Sequence, residues 1–163
     1  MTITKTLERQ LEINKDRINK EFFVVQPTIG FAPKVKSYRE RLDGWLKMCN
    51  ETGMAVKDYA VEGNGVAILR FKNGLQLADS GRRVAFSATE DKQKVDMASA
   101  LTVVRCSANH LCRQGWDLGV DFATVRYGSA QMVLDFEKAH KEARQILNAE
   151  RVAFLKRNPR TAG

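Results

Sequence analysis

A chain of 163 residues, 44% hydrophobic and 28% charged, carries enough apolar material for one buried core without disulfides or a structural metal. Its net charge of +8 favours acidic partners, nucleic acid foremost, and no run approaches the roughly 18 apolar residues of a membrane span. Charges scattered through MTITKTLERQLEINK argue against a secretory signal, and three cysteines (Cys49, Cys106, Cys112) without scaffold spacing suit a reducing compartment, so a soluble cytoplasmic protein is expected.

Residues 2–22 read as a helix, with Ile3, Leu7, Leu11, Asn14, Ile18 and Phe22 recurring at spacings of three and four. Such a narrow stripe either docks on the body of the protein or, through Leu7, Leu11 and Ile18, pairs with a second copy as a homo-oligomer; docking is the simpler expectation. Pro27, Gly30 and Pro33 make 24–36 a connector, so residues 1–36 form an N-terminal arm and 37–163 the body. Ser37 and Glu40 form a capping box for a second helix, with Tyr38, Leu42, Trp45, Leu46 and Cys49 on its apolar face and Gly53 as its left-handed stop.

A β-meander follows. Val66–Phe71 and Leu75–Ala78 flank Asn73-Gly74, a hairpin signal because both residues tolerate positive φ, and Asp79-Ser80-Gly81 turns into a third strand, Arg83–Ser87. Ser87 and Glu90 read as a second capping box, opening a helix that runs to about Cys112 and is closed by Gly115. Asp121–Tyr127 is expected as a fourth strand. From Ser129 to about Lys156 a last helix carries Val133, Phe136, His140, Ala143 and Leu147 on one face. The expected fold is therefore α+β, a small, mostly antiparallel four-stranded sheet packed with helices in the order α-α-β-β-β-α-β-α.

Charge is concentrated at the two ends. Residues 1–60 carry a surplus of three basic side chains, 61–137 none and 138–163 five. A nucleic-acid contact would therefore use Lys34, Lys36, Arg39 and Arg41 together with Lys141, Arg144, Arg151, Lys156 and Arg157. The joint Gly128-Ser129, ahead of the last helix and behind Arg126, is a candidate anion site, because the N–H groups of a helix start attract negative charge; Ser129 as an ordinary N-cap is the simpler expectation.

Catalytic chemistry finds little support. His110 and His140 are the only histidines, and no nucleophile–base pair or phosphate-cradling glycine loop is present. Cys106, His110 and Cys112 have metal-ligand residue types, but Cys112 falls on another side of the helix from the other two, so neither metal nor cofactor is expected.

RFKNG, the helix ending near Trp116 and FATVRYGSAQMVLDFEKAHKEA together resemble the large polyvalent protein-associated domain of conjugative relaxases and plasmid mobilisation proteins. The likeness spans about residues 64–147, with Trp116, Gly128, Ser129 and Phe136 in the family's places. Tyr127-Gly128 stands where the family has threonine-glycine, and the N-terminal helices have no counterpart there. The resemblance implies a non-enzymatic accessory protein of a plasmid or phage that binds nucleic acid or a nucleoprotein partner. The alternative is a protein–protein adaptor, or an inhibitor of a host enzyme or defence system, whose basic charge matches an acidic partner.

Overall fold

The computed structural model describes residues 20–27, 37–63, 65–126 and 129–158. They form β1 (Glu21–Pro27), α1 (Tyr38–Thr52), β2 (Val56–Glu62), β3 (Val66–Phe71), β4 (Leu75–Asp79), β5 (Val84–Ala88), α2 (Met97–Arg113), β6 (Leu118–Asp121) and α3 (Ala130–Arg157). Short 3-10 turns, Lys92–Lys94 and Phe122–Thr124, precede α2 and follow β6. The six strands make one antiparallel sheet in the order β2-β3-β4-β5-β1-β6. The α+β class is as expected; the strand count is six rather than four, and the element order differs.

Period-two alternation divides the sheet into two faces. Tyr59, Leu69, Leu77, Phe86 and Phe23 lie in register across five strands on one face. All of these but Tyr59 are buried under Trp45 and Met48 of α1, Val103 and Val104 of α2, and Met132 and Phe136 of α3. Phe23 stacks on Phe86 with centroids 4.9 Å apart, and Phe136 meets both rings edge-on. Helical cover ends at β3, so Tyr59 and Val61 of the edge strand remain exposed on the core-side face. Across the other face run Ala60, Ile68, Ala78, Ala85 and Val24, of which only Ile68 is fully buried, and the three described helices all pack on the opposite side.

Local signals held where they were self-contained. Ser37 Oγ accepts from the Glu40 N–H at 3.3 Å, and Gly53 ends α1 at φ 71° with its own N–H on the Cys49 carbonyl. Gly74 adopts φ 92° in the hairpin between β3 and β4, where Asn73 Oδ1 also accepts from the Leu75 N–H at 2.9 Å.

Four expectations are corrected. Residues 21–27 belong neither to an N-terminal helix nor to a connector: EFFVVQP is β1, between β5 and β6, with Phe22, Phe23 and Val25 fully buried. A boundary at residue 36 would therefore cut through the body. β2 carries charges at positions 57, 58 and 62 and is an exposed edge strand, which hides it from an alternation pattern. Ser87 lies inside β5 and caps nothing; α2 starts ten residues later, after Asp91 Oδ1 has capped the 3-10 turn by accepting from the Gln93 N–H. The strand expected at 121–127 ends at Asp121, whose carboxylate accepts from the Ala123 N–H while its carbonyl accepts from Thr124 Oγ1, turning the chain away. Of the stripe, Ile3, Leu7, Leu11, Asn14 and Ile18 lie outside the described residues, as do Lys34 and Lys36, and Phe22 belongs to β1.

Candidate functional site

A groove of about 620 Å³ lies between the outer edge of β6 and α3. One wall is Leu118, Gly119, Val120 and Phe122; the other is Glu137, Lys141, Arg144, Gln145 and Asn148, with His140 between them. The wall residues of α3 recur because spacings of three and four return to one helical face. His140 is buried, stacked on Phe136, and its Nε2 donates to the Trp116 carbonyl at 3.0 Å, so it holds α3 to the loop ahead of β6. Phe122 follows β6 directly and is 72% exposed, its orientation fixed by the turn that Asp121 and Thr124 build. Within that turn Thr124 Oγ1 also accepts from the Val24 N–H at 2.9 Å, tying it to β1.

Charge along the groove is mixed at one end and basic at the other. Arg144 Nη1 donates to Asp117 Oδ1 at 3.0 Å in an exposed pair, which occupies one nitrogen of a group with five N–H donors. Lys141, Arg144, Asn148 and Arg151 follow at intervals of three and four along the same side of α3, and every residue from Asn148 to Asn158 is exposed. The helix thus continues for about 15 Å past Asn148, at 1.5 Å per residue, with Glu150 paired to Arg113 of α2 at 3.4 Å.

The sequence-predicted residues do not converge on one surface. Arg39 is exposed on the first turn of α1. Arg41 is not a surface cation: its side chain is 10% exposed, reaching the Gly65 carbonyl and lying 3.6 Å from Asp79. Both belong to the β3–β4 end of the sheet, whereas Lys141 and Arg144 stand over β6, three strands farther across. Lys156 and Arg157 are exposed on the last turn of α3. Ser129 is completely buried, and its hydroxyl donates back to the Arg126 carbonyl instead of capping the helix. Arg126 donates to the Ala123 carbonyl at 3.0 Å and lies 4.0 Å from Glu21. Both side chains of the suggested anion site are thus turned to local structural contacts, and Gly128 lies outside the described residues.

Cys49 and Cys112 are buried and Cys106 is partly so. Burial pushes all three thiols up, Cys49 to about 11 with Cys106 adding to the effect. His110 packs against Trp45 at 4.4 Å between ring centroids. Among the described residues no group of three or more His, Cys, Asp or Glu side chains is gathered as a metal site requires.

Sequence reasoning missed Phe122, Gln145 and Asn148. The aromatic sat inside an apparent strand, FATVRY, and only its position just after a chain turn makes it stand out from the surface. The open sheet face offers no rival platform. Among the described strands it exposes no aromatic side chain, and its arginines are matched: Arg70 by Asp58 and Glu62, Arg83 by Asp121. The fold and groove define a two-layer α+β protein with a basic helical flank and no helix among the described residues long and apolar enough to cross a membrane. No family model, no curated protein and no solved structure matches the chain.

Proposed function

We propose that the protein binds nucleic acid without catalysing a reaction, through the basic face of α3. The observation that carries this reading is the alignment of Lys141, Arg144 and Arg151 with Asn148 along one exposed face beside the groove between β6 and α3. A row of cations spaced along a helix that lies against its own sheet follows a phosphate backbone and reads little sequence. An accessory role in plasmid or phage DNA handling rests on the resemblance of residues 64–147 alone.

The test is a shift assay with DNA and RNA oligonucleotides over a salt series. Binding that weakens linearly in log affinity against log salt, with little sequence preference, is expected. If the protein binds no oligonucleotide at low salt, the reading is wrong.

A second reading has its own observation. Val152, Phe154 and Leu155 are each about half exposed on the last turns of α3, beside Arg151, Lys156 and Arg157. An apolar and basic tip also suits an acidic protein partner, as an adaptor or inhibitor would need. That reading expects specific retention of one protein, indifferent to added nucleic acid.

A further inference from the structure

We propose that the groove between β6 and α3 takes a single-stranded segment of nucleic acid, with a base stacked on Phe122 and the sugar–phosphate chain running along Lys141 and Arg144. The inference rests on the nucleic-acid reading and adds strandedness and the place of the strand to it.

Three features of the groove point to a single strand. First, Phe122 presents a ring that is 72% exposed, at the groove wall and not in the core. A ring in that position stacks readily on a base whose face is free, whereas a base inside a duplex is already stacked on both sides and must first be unstacked at a cost in free energy. Second, β6 is the last strand of the sheet and pairs only with β1 among the described strands. Alternate residues of Leu118–Asp121 therefore turn backbone N–H and C=O groups outward at this edge, next to the groove. Those groups are donors and acceptors of the kind that unpaired base edges need. Third, the opposite wall is graded. Glu137 lies toward the start of α3, and Lys141 and Arg144 follow one and two turns on, with the amides of Gln145 and Asn148 beyond. Phosphate is repelled at the Glu137 end and attracted at the Lys141–Arg144 end, where Arg144 keeps N–H donors beyond the one on Asp117, which places the backbone toward that end of the groove.

A duplex fits this arrangement poorly. The groove face of α3 looks toward β6, so the sheet edge blocks a double helix from lying along it. The last turns of α3 are exposed, but they have neither Phe122 nor the open strand edge beside them.

The test compares a short oligothymidylate and oligouridylate with a mixed-sequence duplex of equal length, by fluorescence anisotropy at low salt. The variants are Phe122→Ala, Phe122→Trp and Lys141→Ala/Arg144→Ala, with a thermal melt confirming that each is folded. The single strands should bind more tightly than the duplex. Phe122→Ala should weaken single-strand binding by about 5- to 150-fold, the range for loss of one stacked base, while Phe122→Trp retains it. If the duplex binds as tightly as the single strands, or Phe122→Ala binds as the parent does while the double variant is weakened, the single-strand inference is overturned and the nucleic-acid reading survives. If the parent binds none of the three, both fall together.

Discussion

The indole N–H of Trp45 donates to Asp79 Oδ2 across 2.7 Å, joining the middle of α1 to the end of β4 inside the protein. The other carboxylate oxygen of Asp79 accepts from the Gly81 N–H at 2.7 Å, closing the β4–β5 turn, and lies 3.6 Å from Arg41 Nε. One buried carboxylate therefore fixes a helix, a turn and a cation at once. Replacing Asp79 with Ala leaves the Arg41 charge and the Trp45 donor without their shared acceptor and should cost about 3–5 kcal/mol, as removal of one partner of a buried pair does. Trp45→Phe removes one hydrogen bond to a charged group and some packing, for about 2–3 kcal/mol. Urea unfolding of the two variants should rank them in that order; equal losses would mean that the carboxylate serves only the indole.

Gly53 and Gly74 separate conformational cost from steric cost. Both have positive φ, 71° and 92°. A Cβ on Gly53 would meet nothing within 4 Å, whereas on Gly74 it would sit 3.2 Å from the Lys94 carbonyl oxygen and 3.3 Å from Val95 Cα. Gly53→Ala should therefore cost about 1–2 kcal/mol for the left-handed backbone alone. Gly74→Ala adds displacement of the backbone ahead of α2 and should cost measurably more in the same unfolding experiment. A Gly53 penalty that matched the Gly74 one would remove the steric part of this account.

How much was legible follows the same division between local and non-local causes. The Ser37–Glu40 cap, the Gly53 stop and the Asn73-Gly74 turn each involve residues within a few positions, so the chain itself displays them. β1 owes its place to β5 and β6, about 60 and 95 positions away in the pairings Phe23–Phe86 and Val24–Asp121. Its apolar run therefore continued a helical stripe convincingly, and Pro27 suggested a linker. At the candidate site, Lys141, Arg144 and Arg151 were visible as charges. Arg41 looked the same in sequence, because nothing there announces that Asp79, 38 positions on, will draw it inside.

The buried thiol of Cys49 makes stability depend on alkaline pH. Its folded value, about 11, lies above the ordinary 9.0, through burial first and Cys106 second. The native state therefore holds this proton more tightly than the unfolded chain. The contribution is fully present below about pH 9 and is lost as pH rises from there through about 11. Cys49→Ala should flatten that part of the stability–pH curve, measured by urea midpoints, apart from a cavity cost that is independent of pH. In the native protein Cys49 should also resist alkylation at neutral pH, since only the thiolate attacks. Rapid labelling of Cys49 under native conditions would contradict its burial.

Position, more than total charge, should decide which basic residues matter for binding. Lys141, Arg144 and Arg151 share a face of α3, while Arg39 stands on α1 toward the other end of the strand order. Arg151 precedes Lys156 and Arg157 on the exposed tip, where truncation to Ala removes charge without touching the core. Each of Lys141→Ala, Arg144→Ala and Arg151→Ala should lower the slope of log affinity against log salt by about 0.7–0.9, the value for one lost phosphate contact. The triple change of Arg151, Lys156 and Arg157 to Ala should weaken binding with the melting temperature unchanged. Arg39→Ala should leave the slope as it is. Arg41→Ala should instead lower the melting temperature, because that side chain is committed to Asp79 and the Gly65 carbonyl. Anisotropy titrations at several salt concentrations read all of these. If Arg39→Ala reduces the slope as much as Lys141→Ala does, the contact is spread over the whole basic surface and the face of α3 is not the binding site.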